Sequence, residues 1–278
     1  MALNLDLIGK KLDSVSFTYN EDAAILYALG IGAGVDELDF VYEKNLKVYP
    51  TFAVVPCMPA MVPVFSALKL NMFKVLHGEQ KIVLHKPIPV KGKLTTTAVC
   101  TSVYDKGDNG AVVNLNFETH GENGELLFEN QIVLVDRSAG NFGGDRGPKT
   151  EKILPPEGKA PDFQDTFETF ANQAALYRLS GDKNPLHIDP DFARKGGFDR
   201  PILHGLCSLG IAGKAIVHAA CDGDPDRLKS LAVRFMNPVC PGDTLITEGW
   251  KVDSTAYIIQ TKTAEGKIIL ANAMAELN

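Results

Sequence analysis

The chain is organised around residues 179–205, LSGDKNPLHIDPDFARKGGFDRPILHG, which place Asp182, Asn184 and His187 within six residues. Gly181 and Pro185 interrupt the helical patterns on either side, so these side chains lie in a turn. A carboxylate, an amide and an imidazole in one short loop can hold and polarise a water molecule. That is the minimum for general acid–base catalysis.

The same residues have a purely structural explanation, because Asp and Asn often close turns through their own side chains. Two features favour a catalytic role over a purely structural one. The segment 200–205 (RPILHG) adds a second polar group directly before an apolar helical pattern. In addition, residues 177–187, which read Y-x-x-S-G-D-x-N-P-x-H, resemble the hydratase 2 motif of the MaoC-like (R)-specific enoyl-CoA hydratases.

Composition excludes several classes of protein. The 278 residues are 45% apolar and 22% charged, which is typical of a globular protein with a substantial core and one large or two ordinary domains. The net charge of -6 offers no basic face for nucleic acid. An anionic substrate would therefore bind at a local group of cations.

The cysteines are scattered without a C-x-x-C pair, which predicts free thiols rather than disulfides or a zinc site. They are Cys57, Cys100, Cys207, Cys221 and Cys240. No run reaches the ~20 apolar residues of a membrane span, and the final residues, AELN, differ from the peroxisomal SKL signal. We therefore expect a soluble intracellular protein, peroxisomal or cytoplasmic, without a readable targeting signal.

Local patterns predict helices followed by strands. Asn20 and the acids after it start a helix that Gly30 ends. An extended segment is predicted over 40–48 and a second helix over 62–70. Four β-branched segments then predict consecutive antiparallel strands at 79–90, 93–107, 111–124 and 125–138. Gly, Pro and charged residues dominate 138–162, which we interpret as a linker.

The second half of the chain repeats the pattern of the first at a separation of about 150 residues. Residues 24–29 (AILYAL) align with 174–179 (AALYRL), and 86–94 (KPIPVKGKL) align with 237–245 (NPVCPGDTL). Further strands are predicted at Leu228–Phe235, Leu245–Val252, Ala256–Thr263 and Lys267–Ala273. One unit is used twice, and the predicted domains are 1–137 and 163–278.

Helices followed by strands in each unit predict an α+β fold in which a curved antiparallel sheet wraps a buried helix. Residues 206–218 (LCSLGIAGKAIVH) have the small and apolar side chains that such a helix needs. The arrangement resembles the hot-dog fold, and two units in tandem resemble the double hot dog of eukaryotic-type hydratase 2. The resemblance covers essentially the whole chain.

The repeat also provides an internal control for the turn. Residues 180–187 (SGDKNPLH) align with 30–37 (GIGAGVDE), which lack the Asp, Asn and His at the matching positions. Residues that only shaped a turn would be expected in both copies. We therefore predict one active site per chain, in the C-terminal half.

Hydration of an enoyl thioester requires a base for water, an acid for C2 and donors for the charge on the thioester oxygen. The resemblance implies that Asp182 and His187 are the catalytic dyad and that Asn184 fixes the water or the substrate oxygen. Gly205 is the expected oxyanion donor, because backbone N–H groups are unpaired at a helix start and glycine permits close approach. A packing glycine is the alternative. His204 is expected to orient the loop, without a catalytic role.

The resemblance also implies substrate contacts in both halves. His77 and Gly78 match family positions in the acyl-CoA site, and Lys106 and Phe235 match positions that contact the CoA portion. A solvated turn lysine explains Lys106 almost equally well. Glu43 matches an acidic position that matters in relatives, without an assigned step. Because the first half lacks the polar loop, we expect it to hold a bulky acyl chain, so that the substrates are medium to long.

The leading function is (3R)-specific, reversible hydration of trans-2-enoyl-CoA in fatty acid β-oxidation. The alternatives are a dehydratase acting on acyl-carrier protein, a hot-dog thioesterase and, least favoured, a non-catalytic acyl-CoA-binding module. No metal or cofactor is expected, because the polar residues lack metal-ligand spacing and no G-x-G-x-x-G follows a strand. Hot-dog proteins commonly pair their sheets, so we expect a homodimer.

Overall fold

The computed structural model describes residues 3–149 and 151–278. Within these residues the chain forms ten strands and six α-helices. The strands are β1 (Val15–Tyr19), β2 (Val75–Leu84), β3 (Gly92–Asp105), β4 (Ala111–His120), β5 (Leu126–Asp136), β6 (Phe163–Glu168), β7 (Leu228–Phe235), β8 (Thr244–Lys251), β9 (Ala256–Thr263) and β10 (Ile268–Leu277). The α-helices are α1 (Glu21–Gly30), α2 (Leu38–Val41), α3 (Cys57–Leu68), α4 (Gln173–Tyr177), α5 (Pro190–Lys195) and α6 (Gly205–Ala220).

The described strands form one antiparallel sheet in the order β1-β3-β4-β5-β2-β7-β10-β9-β8-β6. The order β1-β3-β4-β5-β2 in the first half corresponds to β6-β8-β9-β10-β7 in the second. The two halves meet where β2 and β7 pair, with Lys81 opposite Ala232. The aligned segments 86–94 and 237–245 each lie between the central strand of a half and the start of the strand that follows it. The predicted repeat of one α+β unit is therefore confirmed.

Helix α6 is the buried helix that the sequence predicts. Twelve of its sixteen residues are buried, and the helix packs on β6, β7, β8 and β10 of its own half. It also contacts the short 3-10 helix Pro50–Val54 of the first half. Full burial of one Leu or Ile side chain contributes about 1.5–3 kcal/mol, so this core holds the start of α6 in place. The helix begins at Gly205, as predicted.

The extended segment predicted over 40–48 is wrong. Helix α2 occupies its first part, and it turns Phe40 inward to stack on Tyr49 with ring centroids 3.8 Å apart. Both aromatic side chains are buried. Burial of a stacked aromatic pair stabilises this conformation more than the weak strand pattern stabilises an extended one.

Helix α3 and strand β6 also differ from the sequence prediction. Helix α3 begins at Cys57 rather than Val62, and it includes Pro63. The sequence does not predict strand β6, because FQDTFE has only two apolar residues, four positions apart, and the strand lies on an edge of the sheet. Its two phenylalanines pack against the larger core cluster.

The segment predicted as a linker, 138–162, contains no helix or strand among its described residues. Its first part is attached to the β3–β4 turn, because the carboxylate of Asp105 accepts hydrogen bonds from the backbone N–H groups of Asn141 and Gly143. The domain boundaries at 137 and 163 stay a prediction.

The segment Pro50–Leu68 could cross a membrane by length and composition alone, with 19 residues and a mean hydropathy of 1.8. In this fold 56% of that segment is buried. Phe52 lies in the larger core cluster, and Val64 and Leu68 lie in a second cluster beneath α3. Packing inside the protein therefore accounts for the apolar composition.

Candidate active site

The turn that carries the polar motif is closed by its own side chains. One carboxylate oxygen of Asp182, Oδ1, accepts the backbone N–H of Asn184 at 3.1 Å. The amide oxygen of Asn184 accepts the N–H of Leu186 at 3.1 Å and caps a short 3-10 helix that contains His187. Oδ1 of Asp182 and Oδ1 of Asn184 therefore close the turn, as the structural interpretation of the motif predicts. Oδ2 of Asp182 is not used in the turn and is free to contact other groups.

The orientation of His187 makes it a candidate base. Its Nδ1 lies 2.8 Å from the backbone carbonyl of Ile202. Because a carbonyl only accepts, Nδ1 carries the hydrogen and Nε2 keeps a free lone pair. Nε2 lies 4.0 Å from Oδ2 of Asp182. This separation is too long for a direct hydrogen bond, but one water beside the two atoms can reach both.

The surroundings keep His187 neutral at neutral pH. Burial lowers the pKa of His187 below its ordinary value of 6.5, and this outweighs the opposite effects of the Ile202 carbonyl and the Asp182 carboxylate. A neutral imidazole with a free Nε2 can accept a proton from water.

His204 lies directly against the dyad. Its ring stacks on that of His187, with centroids 3.7 Å apart and planes at 30°. Its Nε2 lies 3.2 Å from the backbone carbonyl of Asp182, and its ring centroid lies 5.0 Å from that of Tyr177. The side chain is 1% exposed. From the sequence, His204 was expected only to orient the loop, and the direct contact with His187 was not foreseen.

Gly205 lies beside a contact between side chains of the two halves. Its N–H has no hydrogen-bond acceptor among residues 3–149 and 151–278. A Cβ at this position would lie 3.2 Å from the Phe235 ring, whose centroid is 5.0 Å from that of His77. The start of α6, the end of β7 and the beginning of β2 therefore meet at one place.

His77 and Gly78 lie on the central strand beside this cluster. Burial lowers the pKa of His77 to about 4, so the imidazole is neutral. Its Nε2 is buried and has no partner among the residues that the structure describes. A Cβ at Gly78 would lie 3.3 Å from the carbonyl of Val133 on β5, so the glycine permits close strand packing.

Lys106 lies apart from the catalytic cluster. It follows β3 in the turn to β4, where its ammonium group contacts the carbonyl of Arg146 and lies 5.6 Å from the Tyr104 ring. Pairing across the sheet places Asp105 three strands from Val75 at the start of β2. Three strand spacings are ~14 Å. Lys106 can therefore contact only a distant part of a ligand that also reaches His77.

Glu43 is not part of the cluster. Its side chain is exposed in the turn after α2, and within the described parts of the chain it makes no hydrogen bond or ion pair. A nearby carboxylate that does contact other groups is that of Glu37. It accepts hydrogen bonds from Tyr49 and from the backbone N–H of Gly34.

Asp182, His187 and His204 each offer one ligand atom, and these atoms lie within 4.8 Å of one another. A cation could therefore contact all three. The two imidazole rings are stacked, however, so their in-plane lone pairs run side by side rather than towards one ion between the rings. The geometry suits an acid–base pair better than a metal site. The expectation of no metal and no cofactor stays a prediction.

The fold and the site together define a class of protein. A tandem pair of sheet-and-helix units, with an acid–base centre at the start of the second buried helix, is a double hot-dog protein. A Mycobacterium tuberculosis protein described as having a double hotdog fold superposes with a TM-score of 0.58, over 97% of this chain and 95% of that one. At 14% identity this similarity concerns the fold alone.

Comparison of the sequence identifies the family. Residues 17–138 match the MFE-2 hydratase 2 N-terminal domain, and residues 152–273 match the MaoC like domain. A probable enoyl-CoA hydratase 2 of Dictyostelium discoideum is 38% identical over 97% of this chain and 94% of that protein. A MaoC-like dehydratase from Phytophthora capsici superposes with a TM-score of 0.89, at 31% identity, over 99% of this chain and 98% of that one. The chain belongs to the hydratase 2 family of MaoC-like proteins.

Some relatives are much longer. The peroxisomal multifunctional enzyme type 2 of Mus musculus is 41% identical over 97% of this chain, but the match spans 38% of the mouse protein. This chain therefore corresponds to one part of that enzyme.

Proposed function

We propose that this protein adds water to trans-2-enoyl-CoA to give (3R)-3-hydroxyacyl-CoA, and that it catalyses the reverse dehydration. The observation that carries the proposal is the neutral His187, whose free Nε2 lies 4.0 Å from Oδ2 of Asp182. The names of the Dictyostelium and mouse relatives support the substrate class and a place in peroxisomal β-oxidation.

The dyad supplies the proton transfers. A water held between Asp182 and His187 gives one proton to Nε2 of His187 while its oxygen forms a bond to C3 of the substrate. The electron pair of the C2–C3 double bond moves towards the thioester, which becomes an enolate. The imidazolium, paired with Asp182, then returns a proton to C2. One water has been added, and both side chains end in their starting states.

The start of α6 supplies the stabilisation of the enolate. The backbone N–H of Gly205 has no partner within the described chain, and it lies at the positive end of the helix dipole. A negative thioester oxygen at this point gains a hydrogen bond that strengthens as charge develops. The missing side chain at Gly205 leaves space between the helix start and the Phe235 ring.

The substrate extends away from this centre in two directions. We assign the thioester end of CoA to His77, Gly78 and Phe235, and its distant phosphate end to Lys106. The acyl chain belongs in the first half, which lacks the polar loop of the second, so medium and long chains are the substrates. The working form is a homodimer, which light scattering of the purified protein would test.

The first experiment is incubation with trans-2-decenoyl-CoA, followed by chiral analysis of the product and an assay for free thiol. A (3R)-3-hydroxyacyl-CoA product without free CoA supports the proposal, whereas release of CoA would identify a thioesterase. Binding without turnover would favour an acyl-CoA-binding module. Crotonyl-CoA, measured in parallel, tests the chain length: the proposal requires the ten-carbon substrate to be turned over at least as efficiently.

A further inference from the structure

His204 is a buried polar side chain beside the dyad, and the proposed proton transfers do not use it. It is 1% exposed, its ring covers that of His187, and its Nε2 donates to the backbone carbonyl of Asp182 at 3.2 Å. One side chain thus contacts both members of the dyad. It also immediately precedes Gly205, the proposed oxyanion donor.

His204 is uncharged in this environment. Burial, and then the neighbouring His187, lower the pKa of His204 to about 4. The ionisable or charged groups that act on it are His187, Asp182 and Arg178, and the Tyr177 ring lies beside it. Its Nδ1 is buried and has no hydrogen-bond partner among the described residues. A buried acceptor without a partner is unfavourable, so its presence calls for a compensating role.

We infer that His204 is a positioning residue for the hydration reaction: it fixes the Asp182 loop and the plane of the His187 ring, and its neutral ring stabilises the imidazolium that forms at His187. The inference rests on the proposed function. An aromatic face attracts a cation stacked against it, more strongly where water is excluded. A second charged ring at the same distance would instead repel the imidazolium.

The fixed ring plane has a direct consequence for catalysis. The second torsion angle of a histidine has a broad minimum, so the ring turns easily unless neighbours hold it. The Ile202 carbonyl holds one edge of the His187 ring, and His204 holds its face. A small rotation would move Nε2 away from Oδ2 of Asp182 and release the bridging water.

Two substitutions separate the two contacts of His204. His204→Phe keeps an aromatic ring against His187 but loses the hydrogen bond to Asp182. His204→Gln keeps an N–H donor but loses the ring. We expect both variants to lower kcat with trans-2-decenoyl-CoA about 10- to 100-fold, by analogy with the range found for groups that orient metal-bound residues. We expect KM to change less than about threefold, because His204 is not placed against the substrate.

The pH dependence distinguishes a positioning role from a merely structural one. In His204→Gln the imidazolium at His187 loses its stacking partner, so we expect the acidic limb of kcat/KM to move to lower pH. In His204→Phe the limb should stay in place. His85→Gln, the same change at an exposed ion-paired histidine directly after β2, is the control for histidine loss.

Titration of the His187 ring nitrogens by NMR provides a readout that does not depend on turnover. The expected result is a lower His187 pKa in His204→Gln than in the wild type or in His204→Phe. Wild-type kcat with an unshifted limb in His204→Gln would overturn the inference, as would an unchanged His187 titration in the folded variant. If the wild type itself fails to hydrate the substrate, the proposed function is wrong, while the titration still tests the stacking.

Discussion

At the scale of single residues, Asp182 shows how one side chain closes a turn and stays available for the proposed catalysis. Its Oδ1 accepts the N–H of Asn184 and closes the turn, and its Oδ2 faces Nε2 of His187. The hydrogen bond that closes the turn holds the carboxylate in the position that the proposed proton transfer requires. Asn184 likewise uses its amide oxygen as a cap, which leaves its amide N–H groups for the water or the substrate.

The exchange Asp182→Asn tests whether the two carboxylate oxygens have these separate roles. The amide oxygen can still accept the N–H of Asn184, so we expect the fold and the melting temperature to be kept. The amide nitrogen cannot take part in proton transfer, so kcat with trans-2-decenoyl-CoA should fall about 10²- to 10⁴-fold. Asp199→Asn, at an exposed acid of the same segment, serves as the control. Wild-type turnover by the Asp182 variant would remove Asp182 from the mechanism.

The pH profile of the wild type tests the assignment of His187 as the base. The base must be neutral, and burial lowers the pKa of His187 below 6.5. Activity should therefore persist as the pH falls through 6.5 and decline only at lower pH. The measurement is kcat/KM between pH 4 and pH 8, with circular dichroism at each pH to confirm that the protein is folded. An inflection above 6.5 would contradict the assignment.

At the scale of elements, α6 determines the position of the site, and its small residues determine the position of α6. A Cβ at Gly210 would lie 2.3 Å from Cγ2 of Ile31, and one at Gly213 would lie 2.5 Å from Cγ2 of Thr51. Both neighbours belong to the first half. The two glycines therefore permit a close approach between the halves at the middle of α6.

The exchange Gly210→Ala tests this packing. Alanine favours a helix over glycine by up to about 1 kcal/mol, but the added methyl group collides with Ile31 and contacts the hydroxyl of Tyr27. Overpacking of a core costs about 1–3 kcal/mol, so we expect a net loss in the free energy of unfolding. Equilibrium unfolding in urea measures this change in the free energy of unfolding. Gly34→Ala is the matched control, because a Cβ there would approach only the Glu37 carboxylate, at 4.0 Å.

At the scale of the whole molecule, the segment of the first half that aligns with the Asp182 turn makes a contact between the halves. Glu37, which aligns with His187, accepts hydrogen bonds from Tyr49 and His218, and it lies 3.6 Å from Lys214. His218 and Lys214 belong to α6. The segment of the first half that aligns with the Asp182 turn therefore anchors α6 of the second half.

This anchor makes stability depend on pH. Burial alone would raise the pKa of Glu37, but hydrogen bonds from His218, Tyr49 and the N–H of Gly34, together with the charge of Lys214, lower it to about 2. A pKa lowered by folding gives stability that is complete above the ordinary value of 4.5 and is lost as the pH falls towards 2.

The exchange Glu37→Gln should therefore reduce the free energy of unfolding by about 2–3 kcal/mol at pH 7, and the difference from the wild type should shrink below pH 4. Chemical unfolding at several pH values measures both. Glu43→Gln, at the exposed acid nearby, is the control and should change stability little at any pH. An equal effect of the two exchanges would show that Glu37 is not an anchor.

Local patterns predicted most of the secondary structure but not every element. The β-branched segments, the helix after Asn20 and the apolar helix 206–218 all form, because their patterns agree with the burial that the fold provides. Strand β6 and helix α2 were not predicted. Their short sequences carry weak patterns, and pairing with β8 and stacking of Phe40 on Tyr49 decide their conformation.

The sequence by itself determined the repeat, the family and the polar turn with Asp182, Asn184 and His187, because these depend on spacings within short segments or on their recurrence. The tertiary structure alone decided which residues distant in the chain come into contact. His204 stacks on His187, Phe235 brings His77 to the start of α6, and Glu37 reaches His218. Contacts between residues far apart in the chain follow from the pairing of β2 with β7 and from helix packing. No local pattern encodes that geometry.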